Sequence, residues 1–137
     1  MPQKNEKDEV KVLFVCYDPQ VISTEKRCLE LQGGLCIETA SSNDEALTKV
    51  ERTVPDVIVG DFTGFLVGAA ASASELVRTL RSEGYGTPII VFSYDDEKDL
   101  FAEVLKSGAI GFVEKSGDPS AVYSTLKSRI VHMTHEL

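Results

Sequence analysis

Five short apolar runs divide the chain, and between them apolar residues recur every three to four positions. Residues 11–16, 57–61 and 89–92 are built around unbroken runs of Val, Ile, Leu and Phe, the pattern of strands buried on both faces; residues 35–39 and 110–114 are weaker runs of the same kind. The intervening stretches read as helices. Asp18-Pro19 supplies an N-cap followed by a first-turn proline and predicts a helix over 19–32, stopped by Gly33-Gly34. Ser42-Asn43-Asp44-Glu45 opens a second helix through about residue 52, with Ala46, Leu47 and Val50 facing inward. Leu76, Val77 and Leu80 mark a third from about residue 74 to Gly84. A fourth covers 95–107 before Gly108, with Leu100, Val104 and Leu105 as its stripe, and Asp118-Pro119 begins a last helix carrying Val122, Leu126 and Ile130. Residues 1–9 are polar and read as a disordered lead-in, whereas the Gly/Ala-rich stretch 62–73 has too little pattern to assign.

Strand and helix therefore alternate five times. Such alternation demands parallel strands, right-handed crossovers and helices on both faces. The expected fold is α/β, a three-layer doubly wound (βα)5 parallel sheet of flavodoxin-like type with strand order 2-1-3-4-5, occupying residues 10–134. Ligands of such sheets bind outside the carboxyl ends of the strands, at the switch point between the first and third.

The composition narrows what a ligand could be. The chain has 137 residues, enough for one ordinary core, and a net charge of −8 that repels nucleic acid and anionic membrane surfaces. No apolar run reaches the roughly 18 residues that span a bilayer, and no signal-peptide core follows the charged start, so a cytoplasmic protein is expected. Cys16, Cys28 and Cys36 match neither a disulfide framework nor a zinc site and read as buried, reduced thiols.

The chemistry gathers at the strand tips. Val57-Ile58-Val59-Gly60 stops on Asp61, Ile89-Ile90-Val91-Phe92 on Ser93, and Ile110-Gly111-Phe112-Val113-Glu114 on Lys115. A carboxylate, a hydroxyl and an ammonium at those three ends resemble the receiver domain of two-component response regulators, over about residues 11–130. The closing Glu114-Lys115-Ser116-Gly117-Asp118-Pro119 is similar to a variant found in receivers of methanogenic archaea. The resemblance implies a single-domain phosphorelay protein that accepts a phosphoryl group on Asp61 from a sensor histidine kinase and passes the signal to a downstream protein. On this resemblance it would not be an enzyme beyond its own phosphotransfer. Lys115 would pair with the acyl phosphate, Ser93 would hydrogen-bond a phosphoryl oxygen, and Phe112 would sit at the position of the switching aromatic. Mg²⁺ would offset the negative charge.

Two departures qualify this. The family's acidic pair after the first strand falls on Cys16 and Tyr17, neither of which replaces a hard carboxylate at neutral pH, so the Mg²⁺ site is depleted. Asp18, beside Asp61, is the nearby substitute ligand, with helix capping as its competing role. The family's Met-Pro-x-Met-Asp-Gly pattern after the phosphoacceptor is also missing, and the loop is longer by about four residues, comparing 62–73 with the pattern's length. These losses keep open a pseudo-receiver that works through protein contacts without phosphorylation. A remoter alternative is a low-molecular-weight phosphatase, because residues 12–16 are similar to that family's start; its Cys-x5-Arg loop, however, has Ile22 at the arginine position.

Overall fold

The computed structural model describes residues 9–62, 69–94, 102–109 and 111–135. Its elements follow in the order β1 (Val10–Cys16), α1 (Ile22–Glu30), β2 (Leu35–Ala40), α2 (Asn43–Arg52), β3 (Val57–Asp61), α3 (Ala69–Ser82), β4 (Ile89–Ser93), α4 (Ala102–Lys106), β5 (Gly111–Glu114) and α5 (Pro119–His135). The five strands form one parallel sheet in the order β2-β1-β3-β4-β5, as the alternation requires.

Side-chain alternation along the strands builds two cores. Leu13, Val15, Ile58, Ile89 and Val91 point to the face covered by α2, α3 and α4, where Ala46, Val50, Leu76, Val77, Leu80 and Val104 meet them. Val12, Phe14, Val57, Val59, Ile90 and Phe92 point the other way, against Leu29 of α1 and Val122, Leu126 and Ile130 of α5. The inner strands β3 and β4 are buried at every position, which is why their sequences show no polar alternation.

Three local expectations need correction. α1 starts at Ile22 rather than Pro19, because the Asp18 side chain accepts from the Gln20 amide at 2.9 Å and the Asp18 carbonyl from the Val21 amide at 3.3 Å; Asp18 closes a turn ahead of the helix instead of capping it. α3 starts at Ala69, about five residues before the apolar stripe becomes readable, since alanine favours helix without marking a face. Of the three cysteines, all free, only Cys16 is buried; Cys28 is half-buried and Cys36 exposed. Two helix starts were met more closely. Ser42 caps α2 by accepting from the Glu45 amide at 3.1 Å, and Asp118 accepts from the Ala121 amide at 3.2 Å at the start of α5. The expected lead-in over 1–8, the stretch 63–68, the first turns expected at 95–101 and Ile110 lie outside the described residues.

Candidate functional site

The sheet register sets the site. Cys16 pairs with Asp61 at the carboxyl ends of β1 and β3, and Ser93 with Glu114 at those of β4 and β5. Lys115 follows immediately, and its amide donates to the Ser93 carbonyl at 2.8 Å, so its side chain leaves the sheet at the same edge as Asp61. Gly60, inside β3, leaves room for the Phe62 ring. A Cβ there would stand 2.1 Å from the Phe62 ring, which is fully buried and packs on Tyr17 with ring centroids 5.3 Å apart.

Two of the three strand-tip groups meet directly. Lys115 Nζ lies 2.7 Å from Asp61 Oδ2, with Asp61 only 1% exposed and Ser93 fully buried on the strand between β3 and β5. A fourth group joins them that the sequence reading did not single out. Glu25 of α1 is 6% exposed and places Oε2 at 3.2 Å from the same ammonium. Its signal lay in the helix pattern: Ile22, Glu25 and Leu29 share one face, so a carboxyl occupies an otherwise inward, apolar row. Tyr123 of α5 donates to Glu25 Oε2 at 3.4 Å. The Lys115 ammonium also stands 5.4 Å from the centre of the Phe92 ring and 5.2 Å from that of Tyr94, within range of cation–π attraction.

Crowding of acids in a dry pocket shifts their proton affinities. Burial pushes the Glu25 carboxyl up to about 8, and the hydrogen bond and charge of Asp61 add to it while Lys115 opposes. Burial alone would lower the Lys115 ammonium, but the charge and hydrogen bond of Asp61, followed by those of Glu25, outweigh it and the net direction is upward. The Lys115 ammonium thus stands between two buried carboxyls, Asp61 at 2.7 Å and Glu25 at 3.2 Å. Burial likewise pushes the Cys16 thiol up to about 12, reinforced by the charges of Asp61 and Glu25. A neutral, fully buried thiol is a poor nucleophile, and the phosphatase reading gains nothing from it.

The other expected site residues are placed as follows. The Tyr17 hydroxyl donates to Asn43 Oδ1 at 2.6 Å, and Asn43 Nδ2 donates to the Ser72 carbonyl at 2.9 Å; Tyr17 therefore ties β1 to α2 and α3 and does not face Asp61. Asp18 turns its carboxylate to the Gln20 amide. Phe112 is half-buried on β5, opposite Val91, and packs against the core beneath α3 and α4.

Among the described residues, one group of potential metal donors is close enough to act together: Cys16, Glu25 and Asp61, with donor atoms all within 4.8 Å of one another. Asp18 is outside it. The group suits Mg²⁺ poorly, because that ion takes near-octahedral oxygen ligands and keeps several waters. Here one donor is a protonated thiol, and the two carboxyls are buried and already hold the Lys115 ammonium.

Comparison with known proteins places this arrangement. A family model described as "Response regulator receiver domain" matches residues 12–127. The chain is 32% identical over 94 residues to the transcriptional activator protein ExaE of Pseudomonas putida, covering 69% of this chain and 42% of that protein. It is also 32% identical over 93 residues to protein-glutamate methylesterase/protein-glutamine glutaminase 1 of Carboxydothermus hydrogenoformans, covering 66% of this chain and 26% of that one. The chain thus spans less than half the length of these curated relatives. Among solved structures, it is similar to the chemotaxis response regulator CheY4 of Vibrio cholerae, with 27% identity, a TM-score of 0.69 and coverage of 89% and 98% of the two chains. It is similar again to the receiver domain of Francisella response regulator 1452, with 26% identity, a TM-score of 0.72 and coverage of 93% and 98%. No helix among the described residues is long and apolar enough to cross a membrane. With the 2-1-3-4-5 sheet, these matches establish that the chain belongs to the response regulator receiver family, the regulatory module of two-component phosphorelays.

Proposed function

We propose that Asp61 is the phosphoacceptor of this receiver and that Lys115 and Ser93 hold the transferred group. The observation that carries this reading is the 2.7 Å contact between Lys115 Nζ and Asp61 Oδ2 at the carboxyl edge of the sheet. A carboxylate oxygen of Asp61 attacks phosphorus on the phosphohistidine of a sensor kinase. The P–O bond forms as the P–N bond breaks, and the imidazole nitrogen leaves with the electron pair and takes up a proton. The product is a mixed carboxylic–phosphoric anhydride. Its oxygens carry more negative charge than the carboxylate they replace, and the Lys115 ammonium, already pointed at Asp61, neutralises part of it without reorganising. The Ser93 hydroxyl, at the tip of the adjacent strand, donates to a phosphoryl oxygen. The partners on this reading are a sensor histidine kinase and a downstream effector protein, and Phe112 is the residue through which β5 reports occupancy of the site.

Incubation with acetyl phosphate, followed by intact-protein mass spectrometry, tests the assignment. One phosphoryl group is expected on the chain, labile to hydroxylamine as an acyl phosphate is, and missing in Asp61→Asn. A beryllofluoride complex that survives Asp61→Asn, or a phosphoryl group mapped elsewhere, would overturn it. A wild-type chain that takes up neither group would mark a receiver working without phosphorylation.

A further inference from the structure

We infer that the Lys115 ammonium is the resident cation of this pocket, with Glu25 as the positioning residue that clamps it, and that the pair replaces the divalent metal of the family's phosphoryl site. The inference rests on the receiver reading but concerns the pocket before any phosphoryl group arrives. Three observations carry it. First, the strand-end positions that would present hard oxygens to a metal carry Cys16, whose thiol is fully buried, and Tyr17, which is engaged with Asn43. Second, a carboxyl has been supplied from a different element: Glu25 comes from α1 and meets Lys115 Nζ at 3.2 Å, beside the 2.7 Å contact with Asp61. Third, the same ammonium lies near the rings of Phe92 and Tyr94, at 5.4 and 5.2 Å.

Two carboxyls and two aromatic faces form a cage around one charge. An ammonium so placed does what an ion would do, holding acidic groups together in a low dielectric, yet it is covalently tethered and needs no shell of water. Room for that shell is what a divalent ion would need, and Asp61 and Glu25 leave little, being 1% and 6% exposed. Glu25 does not touch the reacting atoms in this scheme. It fixes where Lys115 stands, and hence how the positive charge faces Asp61.

The test uses the full chain with no phosphoryl donor, so a chain that never accepts a phosphoryl group tests it equally well. Mn²⁺ is titrated into the protein and followed by its electron paramagnetic resonance signal, and melting is compared in EDTA, Mg²⁺ and Zn²⁺; the last is included because Cys16 is a soft donor. The expected result is an unattenuated Mn²⁺ signal and an unchanged melting temperature in every medium. Attenuation of the Mn²⁺ signal, or a rise in melting temperature with any of the ions that is lost in Asp61→Asn, would overturn the inference. Glu25's part is read separately from the ¹⁵N-resolved signal of the Lys115 ammonium, assigned by its loss in Lys115→Ala. Slow hydrogen exchange is expected in the wild type, with a several-fold acceleration in Glu25→Gln while the backbone amide spectrum stays folded. Equal exchange in the two proteins would remove Glu25 from the clamp.

Discussion

Helix α1 contributes to two ion pairs of the same kind, and they sit in opposite environments. Lys26 and Glu30 face each other one turn apart at 4.0 Å, with side chains 39% and 44% exposed. Glu25, next to Lys26 in sequence, meets Lys115 at 3.2 Å with side chains 7% and 13% exposed. The first pair is screened by water and held by two long flexible side chains, so it contributes little. The second is not a gain in stability simply because it is buried, since removing both charges from water costs as much as their attraction returns. What burial changes is the penalty for breaking the pair. Once two carboxyls and an ammonium are packed together, each makes the others tolerable, and the pocket is kept as a unit or lost as one.

Lys115→Met breaks that unit most severely. It keeps the apolar stem beside Phe92 but leaves Asp61 and Glu25 buried without a cation, and a loss of about 3–5 kcal/mol in chemical denaturation is expected. The loss should grow with pH, because Glu25, its proton affinity raised by burial and Asp61 and no longer opposed by Lys115, spares the pocket a second negative charge only while it stays protonated. A loss under about 1 kcal/mol, the range of exposed pairs, would mean that water reaches these groups and that the contrast between the two pairs is false.

The pH dependence of the intact protein sharpens the same point. Glu25 binds its proton more tightly folded than unfolded, with its value raised from 4.5 to about 8 by burial first and Asp61 second. The native state therefore holds more protons between those values, and stability falls as pH rises through that window. The contribution is fully present below about 4.5 and is lost once pH passes about 8, with a slope of at most about 1.4 kcal/mol per pH unit for one proton. Urea denaturation from pH 5 to 9 should show this decline, and Glu25→Gln should flatten it.

A smaller effect is expected at the open side of the cage. Tyr94 is 45% exposed, and its ring is 5.2 Å from Lys115 Nζ. Tyr94→Ala should cost about 0.5–1 kcal/mol, the value of an exposed cation–π contact, whereas Tyr94→Phe, which keeps the ring, should cost almost nothing. Equal losses in the two variants would point to the hydroxyl and not to the ring face.

The contrast between the two pairs also explains what could be read from sequence. The sheet order, the cores and the strand tips carrying Asp61, Ser93 and Lys115 were legible because buried parallel strands are written as continuous apolar runs, and the residue that ends each run is necessarily at the sheet edge. Glu25 was not, because a glutamate in a helix is ordinarily solvated; only its place between Ile22 and Leu29 distinguishes it from Glu30, and position on one row of a nine-residue helix is weak evidence of burial. Asp18-Pro19 misled for a related reason. The same residues close a turn or cap a helix, and which one occurs depends on where Ile22 and Glu25 must face, a tertiary condition that local chemistry does not contain. The alanines at the start of α3 carried no facing signal at all.

The exposed pair supplies the control on which the comparison stands. In a double-mutant cycle with Lys26→Ala and Glu30→Ala, the coupling should not exceed about 0.5 kcal/mol, and it should shrink further in high salt, because both side chains are open to solvent. The order of the charges is the less favourable one, with lysine N-terminal to glutamate, which works in the same direction. The corresponding cycle on Glu25 and Lys115 should give a coupling of more than 1 kcal/mol that salt leaves nearly unchanged, since ions cannot enter a pocket whose acids are almost wholly covered. Salt is the discriminating variable, because a long-range field of the whole acidic chain would weaken in both cycles alike. If both couplings fell together as salt rose, the Glu25–Lys115 contact would be a surface interaction in function, whatever its burial, and the resident-cation reading of Lys115 would lose its physical basis.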